Sequence, residues 1–266
     1  MCELPLAEQG GSAACPNRHS FDYSGSGYLN LAVQTGARPR MGDTADMVRA
    51  RADFLAKGYL DPVADAVAES IGSGGAITGC LVELGCGTGH YLSRADAWMQ
   101  QAGDRPAVAL GIDLSKAAVS HAARAHPDLR FVVADVQHRV PLVDGGAEAL
   151  LSVFAPRPAA ECARVVAPGG VFVAAFASPG HLATLRRERG LLAIHAEKLT
   201  TLSDRLKPFF SIGDQRVVEY ELDLPGTDVA ELLAMGPNAR HAQTAEVSGP
   251  SVTEISVTVV RFHRGG

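Results

Sequence analysis

Cys80-Leu81-Val82-Glu83-Leu84-Gly85-Cys86-Gly87-Thr88-Gly89 is a short apolar run that ends in a glycine-rich turn. A run of this kind suits a strand buried in a parallel sheet. Helical sequence follows to about Met99. Glycines at a strand-to-helix turn let the backbone approach a ligand that a Cβ would exclude. The spacing here is Gly-x-Gly-x-Gly, not the Gly-x-Gly-x-x-Gly of a dinucleotide fold. Outward from the turn, Asp113 ends the next predicted strand, 24 residues beyond Gly89. An acid at that place can accept hydrogen bonds from a ribose diol. Asp135 ends the third strand, where it could receive an adenine amino group.

The pattern continues toward the C-terminus. Strands are predicted over 107–112, 131–134, 149–154 and 171–176, with helices between them. Ser115 can cap the helix that ends near His126-Pro127, and Ala159 to Val166 forms another before Pro168-Gly169-Gly170. This alternation implies a parallel sheet covered by helices, an α/β fold. The tail differs. Residues 214–224 and 252–262 read as longer strands separated by a helix near 229–235, which suits antiparallel edge strands. Toward the N-terminus, Asp43 or Thr44 can cap a helix that reaches Gly58, and another runs from Asp61-Pro62 to the glycines at 72–75.

The 266 residues suffice for one substantial α/β domain with an appendage. Hydrophobic residues make up 47% and charged residues 20%, which argues against disorder. No apolar run approaches the roughly 20 residues that span a bilayer, and no signal peptide is visible. A soluble cytoplasmic protein, with no membrane partner, is the expectation, and a homodimer is left open. A net charge of −5 gives nucleic-acid binding no general support. Locally, however, 36–58 carries Arg38, Arg40, Arg49, Arg51 and Lys57 against Asp43, Asp46 and Asp53. The plain alternative is a solvated helix face. Five cysteines, an odd count, make a disulfide scaffold a poor fit. Cys80 and Cys162 are expected as buried thiols, and Cys86 as a small packing residue in the loop.

Taken together, Glu83 before the turn, the glycine spacing and Asp113 resemble the class I S-adenosylmethionine methyltransferases. The segment Ala163-Arg164-Val165-Val166-Ala167-Pro168-Gly169-Gly170 is similar to a later landmark of that class. The resemblance implies a Rossmann-like sheet. It also assigns the cofactor pocket to Glu83, Gly85, Gly87, Thr88, Gly89, Asp113 and Asp135. Glu83 would orient the loop or meet the methionyl ammonium. The competing reading is a Rossmann-like NAD enzyme.

The N-terminus adds a metal question. Cys15-Pro16-Asn17-Arg18-His19 places Cys and His four apart, a plausible knuckle for zinc. Cys2 lies 13 residues earlier, so Cys2, Cys15 and His19 make three candidate ligands where a structural site wants four.

A more specific resemblance follows. Cys15 to His19, Phe21-Asp22, Gly27 to Leu31 and Gly42 to Val48 are similar to the start of the ribosomal RNA guanine-N1 methyltransferases of the RlmA family. Phe154-Ala155-Pro156-Arg157, Pro179-Gly180-His181-Leu182 and Ala234-Met235-Gly236-Pro237 continue the likeness over nearly the whole chain. It implies a zinc knuckle-like RNA-recognition module over 1–35, a helical linker over 36–78 and a methyltransferase domain over 79–266. Cys2, Cys15 and His19 match three family ligands, and the family's first cysteine would fall before residue 1. Cofactor contacts carry over onto Gly87, Thr88 and His181. A family tyrosine falls at Leu60, with Tyr59 beside it. Without the family, His181 would read as a helix-start residue.

The family's substrate is a guanine in a domain II hairpin loop of 23S ribosomal RNA, near the peptide exit tunnel. Its actinomycete members include enzymes of tylosin- and mycinamicin-type macrolide resistance. The abundance of Ala, Gly and Arg suits a high-GC genome and points to that branch. Phe154 could stack on a flipped base, or face the core as an ordinary strand residue. Arg157 could pair with phosphate or simply be exposed. Guanine N1 must lose a proton before methylation, and the sequence names no base for it. Two other functions fit parts of the pattern: a small-molecule methyltransferase of antibiotic biosynthesis, and a non-catalytic RNA-binding protein on a vestigial cofactor fold.

Overall fold

A computed structural model describes residues 4–32, 42–73, 75–194, 198–236 and 249–265. Cys2, Arg38, Arg40 and Pro237 lie outside them. Eight strands form one sheet, seven of them on the predicted apolar runs and β4 an addition to them. In chain order they are β4 (Leu29–Asn30), β5 (Cys80–Leu84), β6 (Val108–Asp113), β7 (Arg130–Val133), β8 (Ala147–Val153), β9 (Val166–Ala177), β10 (Phe210–Leu224) and β11 (Ser251–Arg264). Their spatial order is β10-β11-β9-β8-β5-β6-β7-β4. Strands β5 to β9 pair in parallel, and β10 and β11 run antiparallel at one edge, as the longer tail strands predict. The order reverses at β5, between β6 and β8. In open α/β sheets ligands bind outside the carboxyl ends of the strands at such a point. The glycine turn leaves β5 at that crevice.

Alternation along the strands fills two cores. Val82, Leu84, Ile112, Leu150, Phe172 and Phe262 share one face, and Leu81, Leu151, Val173 and Val257 share the other. Phe172 packs against Phe262 and Phe210 with ring centroids 5.8 Å and 5.9 Å apart. Helices cover both faces. Helix α1 (Ala45–Ala56) is capped by Thr44, whose Oγ1 accepts from Met47 N at 3.3 Å. Helix α2 (Asp61–Gly72) carries Pro62 in its first turn, where a missing N–H costs nothing. Helices α3 (His90–Gln101), α4 (Lys116–Ala125) and α5 (Ala159–Val165) are the crossovers. Ser115 caps α4, as expected, with Oγ accepting from Ala118 N at 3.1 Å. Helices α6 (Ala183–Arg189) and α7 (Lys198–Leu206) precede β10, and α8 (Gly226–Ala234) separates the two tail strands.

Several features depart from the sequence reading. Strand β9 begins at Val166, directly after α5, so Pro168-Gly169-Gly170 lies inside it and not before it. Cys162 is fully buried, but Cys80 is only half-buried because it opens an outer end of β5. At the N-terminus, β1 (Ala7–Gln9), β2 (Ser12–Ala14) and β3 (Ser20–Asp22) form a small antiparallel sheet. Its continuation, β4, joins the main sheet in parallel with β7. Among the described residues no helix is long and apolar enough to cross a membrane.

Candidate active site

The three turn glycines adopt left-handed backbone, with φ of +73° at Gly85, +53° at Gly87 and +81° at Gly89. Space matters as much as conformation. A Cβ at Gly85 would sit 2.3 Å from the Cβ of Ala155, on the loop after β8. A Cβ at Gly87 would come within 3.2 Å of Arg51 Nη1. Gly89 approaches His126 and Phe131, which floor the loop. The bend is therefore lined by backbone, not filled by side chains of its own.

Asp113 faces that bend. Its Oδ2 accepts from Gly87 N at 2.9 Å, and its Oδ1 accepts from Ser115 N at 2.7 Å. Burial pushes its pKa up, and these two bonds pull it back down. Glu83 is buried at the end of β5, where its Oε2 accepts from Leu92 N at 3.0 Å. The carboxyl group thus holds the first turn of α3. Its Oε1 is buried with no hydrogen-bond partner among the described residues. Burial raises the Glu83 pKa well above the ordinary carboxylate range. Thr88 is buried. Asp135 lies just beyond β7, with Oδ1 accepting from Gln137 N at 2.9 Å and Oδ2 3.7 Å from His138 Nε2.

The opposite wall is aromatic. Phe154 follows β8 with φ +53° and is 43% exposed, so it does not face the core. A bulky residue in that region is strained, and such strain collects at functional sites. Its ring lies 6.3 Å from that of Tyr91 and 6.0 Å from that of His181. His181 Nδ1 accepts from Ser256 N at 3.3 Å. A neutral imidazole accepting at Nδ1 carries its hydrogen on Nε2, and is a donor there. Arg157 folds back on its own loop: Nη1 donates to Ala155 O at 3.0 Å and the guanidinium lies 5.2 Å from the Phe176 ring. Leu60 is buried in the core at the start of α2. The neighbouring Tyr59 hydroxyl donates to Asp228 Oδ2 at 2.8 Å, which commits it to α8.

Residues that the sequence reading placed only in a local charged stretch stand beside the pocket. Arg51 of α1 pairs with Asp43 at 2.5 Å, and Asp43 O accepts from Ser115 Oγ at 2.7 Å. The segment before α1 is thereby tied to the end of β6. Lys57 is likewise committed, to Asp228 and Glu231 of α8. Arg49, paired with an exposed Asp46, keeps to the solvated helix face.

The candidate knuckle is a closed turn. Cys15 N donates to His19 O at 3.0 Å, Arg18 N donates to Cys15 O at 2.8 Å, and Arg18 has φ +64°. Cys15 Sγ and His19 Nδ1 lie 3.3 Å apart. Two ligands of a tetrahedral zinc, with Zn–S near 2.3 Å and Zn–N near 2.0 Å, stand about 3.5 Å apart. The pair therefore fits one edge of such a site. Cys2 lies outside the described residues, which contain no cluster of three or more ligating side chains.

Comparison with known proteins bears on the family and the fold. Residues 81–170 match a family model described as a methyltransferase domain, and residues 1–35 match one described as RlmA, N-terminal. A Streptomyces fradiae 23S rRNA (guanine(748)-N(1))-methyltransferase is 35% identical over 97% of this chain and 92% of its own. A Micromonospora griseorubida protein designated a 23S rRNA (guanine-N(1)-)-methyltransferase is 35% identical over 93% of this chain and 89% of its own. Among solved structures, a chain from a Haloferax volcanii complex of a methyltransferase with its activator superposes with a TM-score of 0.54 at 16% identity. It covers 84% of this chain and all of that one. At that identity the likeness speaks for the fold alone.

Proposed function

The chain belongs to the 23S rRNA (guanine-N1)-methyltransferase family, and from that premise we propose that it methylates N1 of a guanine in a domain II hairpin loop of 23S rRNA. The observation that carries the reading is the pairing, in one chain, of the RlmA-type N-terminal segment with a methyltransferase domain, matched over 97% of its length to such an enzyme. Methylation there would crowd the macrolide site, so the biological outcome is resistance to tylosin- and mycinamicin-type drugs. A substrate in ribosomal RNA supports a cytoplasmic location.

The donor is S-adenosylmethionine, whose sulfonium supplies an already activated methyl group. The cradle fits it: backbone stands where a Cβ would intrude at Gly85 and Gly87, and Glu83 Oε1 is a buried acceptor in need of a donor. Asp113 would hold the ribose diol and Asp135 the adenine amino group. Gly85, Gly87, Thr88 and Gly89 would line the donor's path, and Glu83 would face the ammonium. Leu60 would contribute only an apolar wall. Phe154 would stack the flipped guanine beside the pocket, and His181 Nε2–H would donate to ligand and not take the N1 proton. Arg157 would hold that loop, through Ala155 O, as much as meet phosphate.

The division into an RNA-recognition module over 1–35, a helical linker over 36–78 and a catalytic domain over 79–266 is part of this proposal. Within it, Cys15 and His19 would ligate one structural zinc, with Cys2 a third ligand. Cys15→Ser should therefore impair RNA methylation by at least about tenfold while leaving donor affinity within about twofold. Calorimetry with S-adenosylhomocysteine beside a transcript assay separates the two. Equal loss in both would point to unfolding and not to a recognition role.

Tritium transfer from labelled donor to 23S transcripts, with and without the hairpin, tests the function. Incorporation that requires the hairpin, with mass mapping to guanine N1, is the expected result. Labelling of a small metabolite, with none in RNA, would reject it.

A further inference from the structure

We infer that Arg51 recognises the carboxylate of the methyl donor's amino-acid arm, exchanging Asp43 for it. This rests on the reading of the pocket as a donor site. The pocket is otherwise acidic. Glu83 and Asp113 line it, and Asp43 lies close enough to Asp113 to affect its titration. Carboxylates suit a ribose diol and an ammonium. They repel the third polar feature of an S-adenosyl amino acid, its carboxylate, which needs a cation.

Arg51 is the basic side chain in place for that role. Its guanidinium stands over the glycine bend, 3.2 Å from where a Cβ of Gly87 would be. Its side chain is three-quarters buried, at 24% exposure. The two other basic residues of the α1 region among those described are turned elsewhere, Arg49 to Asp46 and Lys57 to α8. Arg51 now pairs its Nη1 with Asp43 Oδ2 at 2.5 Å and donates from Nη2 to Met235 O at 2.6 Å. A guanidinium has five N–H donors in a planar fork that matches a carboxylate. The ion pair with Asp43 shows that the guanidinium already meets a carboxylate at the pocket's rim. An incoming carboxylate replaces like with like, while the Met235 bond keeps the fork oriented.

Two ligands separate recognition of the carboxylate from mere support of the pocket. S-adenosylhomocysteine carries the amino-acid arm, and 5′-methylthioadenosine has the same nucleoside and thioether without it. Calorimetry on the full chain should show Arg51→Gln losing about tenfold or more in affinity for the first and less than about twofold for the second. Arg51→Lys should fall between, because a point charge replaces a fork. Asp43→Asn frees the guanidinium and should leave the first affinity unchanged or tighter. The inference is overturned by equal losses for both ligands in Arg51→Gln, by unchanged affinity for the first, or by Asp43→Asn weakening both. A wild-type chain that binds neither ligand would remove the donor reading itself. A chain that binds both but methylates no RNA would leave Arg51's role standing and reject the proposed substrate.

Discussion

Asp113→Ala should weaken donor binding by about 1–3 kcal/mol, roughly 5- to 150-fold, in calorimetry with S-adenosylhomocysteine. The size follows from two losses at once. A carboxylate offers about four lone-pair sites, and the protein uses one on each oxygen, for Gly87 N and Ser115 N. The remaining sites are what a ribose diol would take. Alanine removes that contact and also frees two backbone donors beside the pocket, one in the glycine bend and one at the cap of α4. Asp113→Asn separates these losses. Its single carbonyl oxygen can keep one of the two amides, so its affinity should lie between those of the wild type and the alanine variant. Unfolding temperatures measured in parallel show how much of the effect is bracing. If both variants bind as tightly as the wild type, Asp113 does not hold the ribose.

That pocket is largely legible in the amino-acid sequence. Glu83, the three glycines and Asp113 are adjacent along the chain or sit at strand ends, where short apolar runs bounded by Gly and Asp announce themselves. The same logic yields β5 to β8 within about two residues, and the longer strands of the tail yield the antiparallel edge. What escapes it is built from pieces too short to show a period. The N-terminal strands β1 to β4 are two or three residues each, and β4 is defined by its partner β7, a hundred residues away. Helices α6 and α7, of seven and nine residues, are too short to show a clear period, although Gly190 ends the first and Pro208 follows the second.

The site features that sequence leaves open share another cause: they are created by packing. Arg51 reads as one of several charges on an amphipathic helix, and only the crossing of α1 over the glycine bend gives it a partner there. The array of Tyr91, Phe154 and His181 draws on α3, the end of β8 and the turn after β9. By sequence, Phe154 suits either a core or a stacking position. Its left-handed backbone, set where the chain must leave the sheet beside Ala155 and Gly85, turns the ring outward.

Glu83→Gln should stabilise the free protein at neutral pH and yet impair it as a donor-binding protein. Burial dominates the Glu83 titration and raises its pKa, with the Leu92 N–H only partly opposing it. A carboxyl whose folded-state pKa exceeds its unfolded value binds more protons folded than unfolded. Its contribution to stability is fully present below the unfolded pKa and is lost as pH rises through the folded one. Glutamine carries no such penalty and can still accept from Leu92 N. The unfolding temperature of the wild type should therefore fall, relative to that of the variant, as pH is raised from about 5 to 8. Donor binding should show the opposite linkage. An ammonium placed at the unpartnered Oε1 favours the ionised carboxylate, so the wild type should release a proton on binding and gain affinity as pH rises across the same window. Glu83→Gln should abolish that release and cost about 1.5–3 kcal/mol in affinity, the worth of a charge-assisted hydrogen bond. Binding heats compared in buffers of different ionisation enthalpy read the proton directly. Should the wild type bind with no proton exchange and the variant bind equally well, Glu83 serves only to hold the first turn of α3.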